Sequence, residues 1–285
     1  MVATRMRPIR LNFLVFMNEL YKKIEKAIYL IDICKPSNGE PYELCYSGGK
    51  DSDVILELTK MSGAPYIGIY KNTTIDPPGT VEHAEQKGVE IIYPKENFFK
   101  MIEKKGLPSR YRRWCCNVFK EYKILDNQIL GIRRFESKKR MQRYKEPVIC
   151  RTYRKNERVN QILPILDWTN EDVENFINLR KIQCHKNYYE NGNFNVNKRL
   201  GCIGCPLASC KKRIQDFKKY KGILIKILES VKIYRKTHID NYFSNEYEEL
   251  AYQLFFNDLK LMKERKYTLF GDANYERIIK DIFNI

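Results

Sequence analysis

Residues Tyr42-Glu43-Leu44-Cys45-Tyr46-Ser47-Gly48-Gly49-Lys50-Asp51-Ser52 constrain this chain more than any other stretch. Tyr42 to Tyr46 form a short aromatic and apolar run, the pattern of a strand entering a buried sheet. Ser47-Gly48-Gly49 breaks that strand, and Asp51-Ser52-Asp53 reads as a cluster of N-cap residues. Val54, Ile55 and Leu58 then supply the apolar stripe of a short helix that Gly63 closes. A strand, a glycine turn and a helix N-terminus together make an anion site. Backbone N–H groups converge there, the helix dipole favours negative charge, and glycine lets phosphate come close. Ser47 and Ser52 add hydroxyl donors and Lys50 adds a cation.

No G-x-x-x-x-G-K-[ST] occurs, so this is not the kinase-type phosphate loop. The run Ser47–Ser52 instead resembles the PP-loop of ATP pyrophosphatases and sulfonucleotide reductases. The bland alternative is a plain glycine turn, but strand, turn, donors and cap all agree on the anion site.

Around the loop, strands and helices alternate. A helix is expected from Leu11 to about Ile33, with Leu14, Met17, Leu20, Ile24, Ala27, Ile28 and Ile31 at helical spacing. Strands are expected at Tyr66–Tyr70 and Val89–Tyr93, near Gln128 and at Gln161–Ile165, with helices at Thr80–Lys87 and Phe98–Lys105 between them. Thr169-Asn170-Glu171-Asp172 starts a further helix like a capping box. Such alternation argues for an α/β fold, a parallel doubly wound sheet covered on both faces, with ligands at the carboxyl ends of its strands. The loop and the stretch Thr73–Asp76 both fall at such ends. A nucleotide is expected between them, its phosphates on Ser47, Gly48, Gly49, Lys50, Asp51 and Ser52 and its adenine near Thr74 and Asp76. The charged stretch from Lys138 to Glu157 reads as a mobile loop or hairpin over the site. Beyond Leu207 the chain reads as basic helices, with Ser244 capping one through Lys263. The aromatics there are expected to be core. The expected division is a nucleotide-binding domain over 1–206 and a helical region over 207–285.

The formal charge of +17 points to a polyanionic partner, most simply nucleic acid, or to lysines that only solvate helices. No stretch approaches membrane-spanning length and no signal peptide is apparent, so a cytoplasmic protein without a membrane partner is the expectation. In that compartment nine cysteines are not a disulfide framework, and metal or redox chemistry becomes the question. Cys202 and Cys205, each preceded by glycine, form a C-x-x-C knuckle. Cys115-Cys116 is a second pair, preceded by Arg110, Arg112 and Arg113, whose charge favours thiolates. Together they offer four ligands to a zinc or an iron–sulfur cluster. Adjacent cysteines are awkward for one tetrahedral zinc, because neighbouring side chains diverge, which favours a cluster and leaves zinc as the alternative. Cys34, Cys45, Cys150 and Cys184 have no partner at ligand spacing, and Cys210 is either a bystander or a redox-active thiol.

With these pieces in order, the chain resembles the PAPS reductase family of the adenine nucleotide alpha-hydrolase-like superfamily. The matching segments run from Leu44 to Pro206: Ser47–Ser52, Asn72–Pro78, Trp114-Cys115-Cys116, Gly131–Ser137, Pro164–Trp168 and Gly201–Pro206. The cysteine pairs are similar to those holding a 4Fe-4S cluster in adenylylsulfate reductases and DNA phosphorothioation enzymes, which implies such a cluster on Cys115, Cys116, Cys202 and Cys205. Sulfonucleotide reductases also carry a nucleophilic Glu-Cys-Gly segment, and none occurs here. The resemblance therefore leaves two reactions open. One is ATP-dependent adenylation and sulfur transfer to a tRNA or DNA acceptor, with Mg²⁺ and an external sulfur donor. The other is reduction of adenylylsulfate (APS) or its 3′-phosphorylated form (PAPS) to sulfite, with a thiol reductant. For the first, Lys50, Asp51 and Arg133 are the expected catalytic residues, and Arg133 and Arg134 the contacts to the α-phosphate. A nucleic-acid-binding protein with an inactive nucleotide site is the non-enzymatic alternative.

Overall fold

In a computed structural model the described residues are 8–153, 157–238, 243–256, 267–268, 271–272 and 274–285. They divide into two compact units. Of the described residues, the first comprises those in 8–71, 78–92 and 123–200, and the second those in 72–77, 93–122 and 201–285. Both cysteine pairs fall in the second unit, whereas the sequence division placed them with the nucleotide loop.

The first unit is built on a six-stranded sheet. In chain order its elements are α1 (Pro8–Ile33), β1 (Tyr42–Tyr46), α2 (Lys50–Ser62), β2 (Tyr66–Lys71), α3 (Thr80–Gln86) and β3 (Glu90–Ile92). After α4 (Phe98–Lys105) and α5 (Trp114–Phe119) of the second unit come β4 (Asn127–Leu130), α6 (Lys138–Arg143), β5 (Val148–Thr152), β6 (Arg158–Ile162) and α7 (Asn170–Arg180). The strand order is β3-β2-β1-β4-β6-β5. β1 pairs parallel with β2 on one side and β4 on the other, Cys45 lying opposite both Ile69 and Leu130. The chain therefore winds outward in opposite directions from β1, and the crevice at the carboxyl ends of β1 and β4 is a topological switch point.

Apolar periodicity explains the layers. Leu20, Ile24, Ala27 and Ile31 of α1 are buried with Tyr42, Leu44 and Tyr46 of β1, and with Val54, Ile55 and Leu58 of α2. Val173, Phe176 and Ile177 of α7 join the same core. Glu43 is fully buried in the central strand yet fully used. It accepts from Lys71 Nζ at 2.6 Å, Gln128 Nε2 at 2.8 Å and the N–H groups of Ile124 and Leu125. Such pairing offsets the desolvation that burying a carboxylate costs.

Three sequence expectations change. The stretch 138–157, expected as a mobile loop or hairpin, begins with α6 and continues as β5, which pairs antiparallel with β6 at the edge of the sheet. The last parallel strand spans Arg158–Ile162, three residues earlier than expected, because Leu163 to Trp168 turn into the capping box of Thr169 and Asp172. The N-cap of α2 is Gly49, so Asp51 and Asp53 lie within its first turn.

The second unit is mainly helical. With α4 and α5 it holds α8 (Cys210–Lys219), α9 (Lys221–Thr237), α10 (Glu246–Ala251) with a π-helical turn at Tyr252–Phe256, and α11 (Tyr275–Phe283). Phe98, Trp114, Phe119, Phe217, Tyr275 and Phe283 are buried in its core, as the helical spacing of the C-terminal aromatics implied. Asn245 rather than Ser244 caps α10, accepting from Glu248 N. The expected continuation to Lys263 lies outside the described residues. Among those residues no helix is long and apolar enough to cross a membrane.

Candidate functional site

The phosphate loop is held open by close packing on glycine. Gly48 has φ +74° and a Cβ there would meet Thr80 Cγ2 at 2.7 Å, so no other residue fits without displacing α3. At the end of β4, a Cβ on Gly131 would lie 2.8 Å from the Asp51 carbonyl oxygen. Ser52 Oγ donates to Gly49 O at 2.6 Å, and Ser47 Oγ lies 3.4 Å from Ser52 Oγ.

Lys50, only 3% exposed, lies 3.3 Å from Asp51 Oδ2 and sits over the Tyr188 ring at 5.5 Å. Burial lowers its pKa from the usual lysine value. Arg133 and Arg199 push the same way while Asp51 opposes them. An incoming polyanion would favour the charged ammonium. Arg133 is 1% exposed, lines the larger cleft described below and uses each guanidinium nitrogen once. It donates to Asp51 Oδ1 at 2.7 Å, Trp168 O at 3.3 Å and Asn170 Oδ1 at 2.9 Å. Its neighbour Arg134 turns to Asp167 and to the carbonyl of Lys145.

Two adjoining clefts of about 190 and 300 Å³ share Lys50, Glu136 and Arg199. The smaller follows the loop from Ser47 to Ser52 and brings in Arg140 and Tyr188. Burial lowers the Arg140 pKa, and the charge of Arg199 adds to that. Glu136 pairs with both arginines, its Oε1 3.2 Å from Arg199 Nη2. Sequence reasoning missed Arg140, Arg199, Glu136 and Tyr188. Charge was the only signal of the first three, Tyr188 carried none, and folding alone brings them to the phosphate loop.

The other expected residues lie in the second unit. Thr74 Oγ1 accepts from Phe98 N at 2.8 Å, and Asp76 accepts from Thr73 N while facing Lys120 at 3.9 Å. Cys115 and Cys116 occupy the first turn of α5. The knuckle is shaped by Gly204 (φ +67°), where a Cβ would collide with the Phe217 ring at 2.3 Å, and by Ile203 N donating to Ile75 O. Cys202 Sγ lies 3.7 Å from Thr73 Oγ1.

The four thiols influence one another. A hydrogen bond with Cys116 raises the Cys115 pKa, reinforced by burial and by Cys202 and Cys205. The same bond brings Cys116 down to about 6, against burial and with help from Arg113. Burial works against a charged Lys120, but Cys202 and Asp76 outweigh it and raise its pKa. An ammonium, that of Lys120, and a hydroxyl, that of Thr73, lie beside the sulfur of Cys202. Among the described residues no three His, Cys, Asp or Glu side chains are gathered to hold a single metal ion. The C-terminal basic run also divides. Arg213 is buried, donating to the carbonyls of Gln253 and Leu254, so it is an anchor of α8 rather than a phosphate contact.

A mostly parallel sheet with Ser-Gly-Gly-Lys-Asp-Ser between its central strand and the next helix defines a nucleotide-binding fold of the PP-loop class. Residues 42–208 match the phosphoadenosine phosphosulfate reductase domain, and the chain belongs to that family. An uncharacterized protein of Methanocaldococcus jannaschii is 30% identical over 211 residues, 68% of this chain but 39% of that protein. The chain thus spans less than half the length of this curated relative. Among solved structures, the PAPS reductase of Candida auris in its phosphate complex is 15% identical with a TM-score of 0.42, over 70% of this chain and 98% of that one. The U34-tRNA thiolase NcsA of Methanococcus maripaludis, with its 4Fe-4S cluster, is 16% identical with a TM-score of 0.40, over 79% and 81% respectively.

Proposed function

We propose that this chain is an ATP-consuming enzyme that adenylates an oxygen of a nucleic-acid acceptor and exchanges that oxygen for sulfur. The observation that carries the reading is the convergence of Lys50, Arg140 and Arg199 on the clefts along the phosphate loop. Three cations beside a helix N-terminus suit a departing pyrophosphate better than a single phosphate.

The acceptor oxygen attacks the α-phosphorus, the bond from that phosphorus to the bridging oxygen breaks, and pyrophosphate leaves with the electron pair. Lys50, Arg140 and Arg199 stabilise the charge growing on it, and Ser47 and Ser52 offer hydroxyl donors. Arg133 acts through Asp51 as a positioning residue, because its nitrogens already serve protein oxygens. Mg²⁺ enters with the triphosphate as part of the substrate, since the Asp51 oxygens already face Arg133 and Lys50. In the second step sulfide from an external donor gives its electron pair to the activated carbon, and AMP leaves with the electrons of the C–O bond. Cys115, Cys116, Cys202 and Cys205 would hold a 4Fe-4S cluster, which supplies an iron site for sulfide when bound. Lys120 and Thr73 orient Cys202.

The test is incubation with ATP and bulk tRNA or DNA, and separately with adenylylsulfate or its 3′-phosphorylated form. Pyrophosphate release from ATP is expected. Arg199→Ala and Lys50→Ala should each reduce it by about 10²–10³. Sulfite from a sulfonucleotide without pyrophosphate from ATP would overturn the reading in favour of reduction.

A further inference from the structure

Phe135 is the only exposed phenylalanine among the described residues, with 54% of its surface open. No other exposed large apolar side chain lines either cleft at the phosphate loop. Single apolar side chains are ordinary on a protein surface, but this one is both placed and held. It lies at the centre of the 3-10 turn Arg134–Glu136, which follows β4. Arg134 N donates to Leu166 O at 2.9 Å, and the Arg134 guanidinium holds Asp167 and the Lys145 carbonyl. On the other side Glu136 pairs with Arg140 and Arg199. With both neighbours committed to partners, the backbone between them is fixed and the ring lines the larger cleft.

Of the charged residues in that cleft, Lys50, Arg133 and Arg199 are cations and Glu136 is the one carboxylate. Glu136 already serves two arginines, so the cleft stays positive. A flat apolar ring beside cations is the combination that holds single-stranded nucleic acid: a base stacks on the ring and the cations meet the backbone phosphates. Position on the sheet separates this ring from the base of the nucleotide. β2 and β4 flank β1 on opposite sides. Adenine is expected beyond β2, whereas Phe135 follows β4.

We propose that Phe135 is the stacking platform for an unpaired base of the nucleic-acid acceptor. The inference rests on the adenylation reading above and adds the class of acceptor: a single strand, or a base turned out of its helix, and not an intact duplex. The chemistry makes the same demand. An oxygen attached to a base carbon reaches the α-phosphorus only when the base has left its stack.

Phe135→Trp supplies the readout, because the chain's own Trp114 and Trp168 are 7% and 2% exposed. The full chain carrying it is titrated at low salt, without ATP, with a single-stranded oligouridylate of about ten nucleotides. Saturable quenching of the new fluorescence is expected, and the same strand annealed to oligoadenylate should act about tenfold more weakly. Phe135→Ala should lower affinity for the single strand about tenfold, the loss of one stacked base. The slope of log affinity against log salt should stay the same, since no charge is removed. Equal quenching by the duplex would overturn the unpaired base. Equal quenching by ATP alone would give the ring to adenine and overturn the assignment to the acceptor. Unchanged affinity in Phe135→Ala would overturn the platform and leave the adenylation reading standing. Absence of any oligonucleotide binding by the wild-type chain would overturn the acceptor itself, so the two failures are distinguishable.

Discussion

Replacing Arg133 by methionine removes a guanidinium that is 1% exposed and bonded to Asp51, to the Trp168 carbonyl and to Asn170. Methionine keeps most of the volume, so the loss is electrostatic. Breaking a buried ion pair by removing one partner costs about 3–5 kcal/mol, because the remaining charge and acceptors stay buried. Asp51 keeps Lys50 at 3.3 Å and its side chain is 16% exposed, which puts the expected loss near the lower end, about 3 kcal/mol. At roughly 2–4 °C per kcal/mol, thermal unfolding followed by circular dichroism should fall by about 6–12 °C. Freed from its clamp, Asp51 should let the start of α2 move, so nucleotide turnover should fall with it. Arg133→Lys keeps the charge but not the fork, and should recover part of the stability. A melting temperature within about 1 °C of wild type, with unchanged turnover, would show that Arg133 holds nothing in place.

If Cys202 ligates a cluster, protein purified without oxygen should be brown with iron and sulfide at about four each per chain, and Cys202→Ala should be colourless; stoichiometric zinc without sulfide would sink the cluster. Nucleic-acid binding should weaken with salt at a log–log slope of about −0.7 to −0.9 per neutralised phosphate. Lys211→Glu with Lys218→Glu should reduce that binding and spare ATP affinity, whereas no binding at low salt would remove the nucleic-acid acceptor. Burial, with His83 and Lys186, lowers the His185 pKa to about 4. The unfolded chain therefore takes up this proton first as pH falls through about 6.5, and stability should drop between there and pH 4 by on the order of 3 kcal/mol. His185→Gln should flatten that part of the pH–stability curve, and an unchanged curve would refute the assignment.

Local signals made much of this molecule legible. The five-residue strand β1 and the glycine at 63 that closes α2 fall where apolar pattern and stop residues put them, because both are set by short-range backbone preferences. The capping box of α7 did so for the same reason. The stretch 138–157 was legible only as a loop or hairpin. Its charge masks a helix and an edge strand that exist because β6 offers them a partner. Arg213 shows the same dependence on partners: lysines surround it in sequence, yet the carbonyls of the π-helical turn draw it inside.

What the sequence determined by itself is the phosphate loop and its place between a strand and a helix, since glycine, hydroxyl, lysine and carboxylate at consecutive positions carry their chemistry wherever that turn forms. It also named the four cysteines, whose spacing is local within each pair. Only the tertiary structure decided which charges serve the loop. Arg140 and Arg199 lie far along the chain from Lys50 and reach it because the fold brings α6 and the segment around Arg199 to the same cleft. It also decided that Arg133, adjacent to Arg134 in sequence, faces inward to clamp Asp51 while its neighbour faces Asp167. Side-chain direction at such positions is set by what packs against the backbone, and no window of sequence contains those partners.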